Sequence, residues 1–147
     1  MPNIIHNTII LENNINTASF KDEALEGFNL EGCPDLPFDN DIYFDFNIFI
    51  PQTKETKDIE KWNLKNWNTK WNAGRTVIEE LNNNKLIFHF DTAWDIPTPI
   101  IKAYFKKYKA YEITYNAHEE MNAFSYKITQ EENKNILKVE YSTFYLL

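Results

Sequence analysis

The chain has a single cysteine, three glycines and no apolar run of membrane-spanning length, and its first fifty residues contain only one basic side chain. Each shortage excludes something. With Cys33 alone, no disulfide can close within the chain and no thiolate-rich metal site can form. Three glycines in 147 residues make a backbone phosphate cradle improbable, and no P-loop, dinucleotide-binding glycine motif or H-E-x-x-H zinc motif occurs. A spanning helix needs about 18 uninterrupted apolar residues, and the segment from Met1 to Leu11 lacks the basic start of a secretory signal. The expectation is a cytoplasmic protein without cofactor, metal or membrane partner.

What is present is aromatic, acidic and rich in asparagine. Hydrophobic residues make up 43% of the chain and aromatics 16%, enough for one sizeable core, so a single domain over 1–147 is expected. Nineteen asparagines must build many of the turns that glycine would otherwise supply, with Asn13-Asn14 and Asn82-Asn83-Asn84 as the obvious sites. The net charge of −7 is regional: residues 1–50 hold nine acids against Lys21 and sum to −8, which leaves +1 for the remainder. Glu31, Asp35, Asp39, Asp41 and Asp45 fall within fifteen residues and could present one negative face to a partner with a basic surface.

Periodicity gives the elements. Ile4 to Leu11 reads as a strand, followed by a helix capped by Thr17 or Ser19 with Phe20, Ala24, Leu25 and Phe28 on one face. Tyr43 to Ile50 reads as a second strand, alternating Phe44, Phe46, Ile48 and Ile50 against Asp45 and Asn47. Asp58 can cap a short helix with Ile59 and Trp62 on one side, and Asn66 to Asn72 reads as an ordered loop. Arg75 to Leu81 and Lys85 to Thr92 form a hairpin across the triple asparagine. Pro97-Thr98-Pro99 opens a helix that turns Ile100, Ile101, Tyr104, Phe105 and Tyr108 inward, and three strands follow at Tyr111 to Ala117, Ala123 to Thr129 and Leu137 to Tyr145. Strands outnumber helices without regular βαβ alternation, so the class is α+β with a mostly antiparallel sheet.

Two segments carry a resemblance. Asn66-Trp67-Asn68-Thr69-Lys70-Trp71-Asn72 and Phe90-Asp91-Thr92-Ala93-Trp94-Asp95-Ile96-Pro97 resemble the paired motifs N-W-G-T-K-W-[DN] and F-D-T-A-W-[SD]-P-P of the YubB-like ferredoxin-like domains carried by plasmids and phages. Asn68 stands where that motif has glycine, and Asn tolerates positive φ better than most residues. The resemblance implies a ferredoxin-like fold and residence on mobile elements, hence in the cytoplasm of a bacterial host. It implies no general enzymatic activity. The elements read above then give two main helices on one face of the sheet and a short extra helix.

The candidate chemistry is sparse. His6, His89 and His118 lie on separate segments with no metal-ligand spacing, although His89 and Asp91, two apart on a strand, share a sheet face and permit a His-carboxylate pair. Trp67, Lys70, Trp71 and Trp94 are either a buried folding lock or a binding platform, and the burial that a loop without periodicity needs favours the lock. Three functions follow in order. The first is a non-catalytic accessory factor that binds and inhibits a host protein, such as a nucleic-acid-handling defence effector. Next come a nucleic-acid-binding module using the Trp and Lys side chains, and a small nuclease-like enzyme using His89, Asp91 and Lys70. The apolar end at Phe144 to Leu147 is expected to pack on the core or on a second copy, which leaves monomer and homodimer both open.

Overall fold

A computed structural model describes residues 3–15, 17–30, 43–53, 57–121, 124–131 and 137–143. Along the chain come β1 (Ile4–Glu12), α1 (Phe20–Leu25), β2 (Phe28–Asn29), β3 (Tyr43–Phe44), a 3-10 turn at Phe46–Ile48, and α2 (Ile59–Trp67). They are followed by β4 (Gly74–Leu81), β5 (Lys85–Ala93), α3 (Thr98–Lys107), β6 (Glu112–Glu119), β7 (Phe124–Gln130) and β8 (Leu137–Thr143). Six strands make one antiparallel sheet in the order β4-β5-β1-β6-β7-β8, and β2 pairs with β3 apart from it.

The first strand of the chain therefore lies inside the sheet, and its alternation sets both faces. Ile5, Asn7, Ile9 and Leu11 are buried under the helices, while His6 and Thr8 point to the opposite face. The register carries this division to the neighbours: Ile9 faces Phe88 and Tyr115, and Leu11 faces Leu86 and Ile113. Asn7 is the polar exception in the buried row. Its amide donates to the carbonyls of Ile5 and Phe90 and to the Thr92 hydroxyl, and its carbonyl oxygen accepts from the Tyr115 hydroxyl. A buried polar group that is fully paired in this way carries no desolvation penalty left uncovered.

The core is aromatic. Phe44 has the rings of Phe28, Phe46, Phe49, Phe88, Phe90 and Tyr104 around it at centroid distances of 4.8–6.1 Å. Tilted and edge-on pairs at this spacing add about 0.5–1.5 kcal/mol each beyond their area burial. From α3, Ile100, Ile101, Tyr104 and Phe105 reach this core, as the sequence periodicity anticipates.

Three expectations are corrected. Tyr43 to Ile50 is not one strand: pairing stops after Phe44 and the chain closes a 3-10 turn that leaves Ile48 exposed. Local side-chain bonds compete with the ladder here, since Asp45 accepts from the Asn47 amide at 3.0 Å and Asn72 accepts from the Phe46 amide at 2.9 Å. The loop expected from Asn66 begins later, because α2 runs through Trp67 and ends on Asn68 at φ 63°. At nine residues α2 is also longer than the six-residue α1, so the short extra helix is α1.

Candidate functional site

The segment after α2 is fixed from below. Trp67 is fully buried, donates its indole N–H to the Ile50 carbonyl at 2.9 Å and packs edge-on against Phe46 and Trp62. Asn68 takes the left-handed conformation and ties this helix end to the approach of α3 through its amide and the Ile96 carbonyl, 3.0 Å apart. Thr69 is buried with its hydroxyl on the Trp71 carbonyl, and Asn63 donates to the Lys70 carbonyl. The side chains of Trp67, Asn68 and Thr69 and the backbone carbonyls of Lys70 and Trp71 are thus tied down in succession.

That anchoring lifts two rings out of the protein. Trp71 is 45% exposed and Trp94, at the end of β5, is 47% exposed. The Lys70 ammonium sits 5.3 Å from the Trp71 ring centroid and 5.0 Å from that of Trp94, and 3.7 Å from a Glu60 carboxylate oxygen. Trp94 holds φ at 76°, a left-handed conformation that is strained for a bulky side chain. Its amide donates to the Asn3 carbonyl at 2.8 Å, and the following turn is locked by Thr92 donating to the Asp95 carbonyl. The expectation of three buried tryptophans holds at Trp67 and is corrected at the other two. A lysine between them occupies the space where the two rings would have to close on each other.

Asp91 lies elsewhere, on the sheet face opposite the helices. It accepts from His6 Nδ1 at 2.8 Å, whereas His89 meets the Thr8 hydroxyl and a Glu79 carboxylate oxygen at 2.8 and 3.1 Å. His89 and Asp91 share the face without pairing, and Lys70 is engaged with the two tryptophans. The three groups of a nuclease-like site are not assembled. Of the acidic stretch, Glu31, Asp35, Asp39 and Asp41 lie outside the described residues, as do Cys33 and Phe144 to Leu147. Asp45 is half-buried and bonds Asn47 and Asn72.

A cavity of about 230 Å³ opens between the start of α3 and strands β7 and β8, walled by Ile96, Ile101, Ile128 and Val139 with Asp95 and Lys102 among its polar groups. Tyr126 also lines it, and burial, then the nearby Asp95 carboxylate, push that phenol above its ordinary value. No sequence pattern announces this cavity, since it depends on how far α3 reaches across the sheet. Among the described residues, no group of three or more His, Cys, Asp or Glu is placed to hold a metal ion, and no helix is long and apolar enough to cross a membrane.

An antiparallel sheet with its helices on one face defines a ferredoxin-like α+β domain. The family model described as the ferredoxin-like domain in Api92-like protein matches residues 66–143, just over half of the chain, and the chain belongs to that family. No curated protein and no solved structure matches it.

Proposed function

We propose that the protein works by binding a partner protein rather than by catalysis, and that Trp71, Lys70 and Trp94 are the centre of the contact. The observation that carries the reading is a pair of half-exposed indoles flanking a lysine on an anchored backbone. Tryptophan is enriched among the few residues that dominate binding energy, and rings already fixed before association lose little freedom on binding. A protein partner is favoured over nucleic acid because the chain carries −7 and the patch lysine already has Glu60 beside it, whereas strand binding needs a basic track.

The finer reading is an accessory factor of plasmids or phages that inhibits a host protein, such as a nucleic-acid-handling defence effector. Support comes from the resemblance of the two tryptophan motifs and from the acid-rich first fifty residues, which suit a partner with a basic surface. Capture from bacterial lysate, with and without nuclease treatment, tests it. A host protein retained after nuclease treatment, released at high salt and lost with Trp71→Ala and Trp94→Ala is expected. Retention only through nucleic acid would transfer the patch to base stacking and overturn the reading.

A further inference from the structure

All three histidines of the chain lie on the sheet face opposite the helices, and two of them are adjacent. His6 on β1 pairs in register with Asp91 on β5 and with His118 on β6, so an Asp-His-His row crosses three neighbouring strands. The His6 and His118 ring centroids are 5.1 Å apart with the planes tilted by 43°, and both residues are exposed. Asp91 holds His6 through Nδ1 at 2.8 Å. That leaves His6 Nε2 open, and among the described residues neither it nor either ring nitrogen of His118 has a hydrogen-bond partner.

We propose that His6 and His118 form a two-histidine chelate for a borderline divalent transition-metal ion of the zinc type, with Asp91 orienting His6. A carboxylate on the far nitrogen of a ligating imidazole fixes its tautomer and ring orientation, and Asp91 stands in that relation to His6. The spacing agrees. A tetrahedral ion about 2.0–2.1 Å from each ligating nitrogen lies about 3.2 Å from each ring centroid and sets the centroids about 5.2 Å apart. The observed separation is 5.1 Å. With two protein ligands on an open face, the other positions of the ion belong to water or to a donor from a partner. This is a site for recruitment and not a closed structural centre. His89 is the internal control, because both of its ring nitrogens are engaged by Thr8 and Glu79.

The test is calorimetric titration of Zn²⁺ alone into the untagged full chain, repeated on His6→Gln, His118→Gln, Asp91→Asn and His89→Gln. One ion per chain is expected for the parent and for His89→Gln. Each of the two ligand substitutions should weaken binding at least tenfold. Asp91→Asn should weaken it by about 10–100-fold, the usual effect of removing an orienting partner. Histidine ring NMR signals separate direct ligation from a fold change, since Zn²⁺ should shift His6 and His118 and leave His89 in place. Unchanged stoichiometry and affinity in the His6→Gln His118→Gln double variant, or an equal loss in His89→Gln, would overturn the assignment.

Discussion

The four tryptophans divide by what lies beneath them. Trp67 is sealed in the core, so Trp67→Ala should cost about 3–5 kcal/mol of stability, read as a lowered urea midpoint. Trp94 behaves oppositely because its backbone is held at φ 76° for a ring half in solvent. Glycine has no penalty there, so Trp94→Gly should leave stability unchanged or raise it by up to about 1 kcal/mol while weakening partner capture. A large loss of stability would mean that the ring supports the fold. Tyr104 offers a second residue-level check: its hydroxyl is buried without a partner among the described residues, so Tyr104→Phe should be neutral or stabilising. Alkali probes the same set of rings. Burial raises Tyr104, Tyr108 and Tyr115 above the ordinary phenol value, and burial with the Glu23 hydrogen bond and charge pushes Tyr111 up to about 12. A raised folded-state value means that the native protein holds these protons more firmly than the unfolded chain. Their contribution is complete below pH 10, the ordinary phenol value, and is lost as pH rises toward 12 and beyond. Urea midpoints at pH 9, 11 and 12 should therefore fall in that order, with phenolate absorbance from the buried rings appearing only as unfolding sets in.

Element boundaries rest on a few short side chains. Asp58 caps α2 by accepting from the Lys61 amide at 3.2 Å, and Asp58→Ala should cost about 1 kcal/mol. Thermal melts of that variant against a surface control such as Lys61→Ala would check it. The hairpin, α3 and the strands of the second half were legible in the sequence because alternation, proline and the Asn82-Asn83-Asn84 turn agree with one another there. Tyr43 to Ile50 was not legible as it folds. Its alternating aromatics mimic a strand, yet the ring of Phe44 is enclosed by six others while Asp45 and Asn72 draw the next residues into a turn. The same partner, Asn72, comes from 26 residues downstream of Phe46, and no local pattern announces it.

At the scale of the whole molecule, placing β1 between β5 and β6 is what brings distant residues together. It aligns His6, Asp91 and His118 in one row, although they are separated by 85 and 112 positions along the chain and share no spacing motif. The β5 end and the α2 end likewise meet, so that the two segments carrying the family resemblance join at Lys70, between Trp71 and Trp94. The residue types of this patch could be read from sequence, but not their exposure, which depends on Trp67, and not Trp71 or Trp94, being the ring that packs on Phe46 in the core. The proposed function requires that exposed patch to be the contact. Its most direct test is a titration of the captured host partner with the parent chain and with Trp71→Ala, after both are shown to have the same circular dichroism and melting temperature. An indole at the centre of an interface contributes at least about 2 kcal/mol, so the variant should bind roughly thirtyfold or more weakly. An affinity within twofold of the parent would contradict the account.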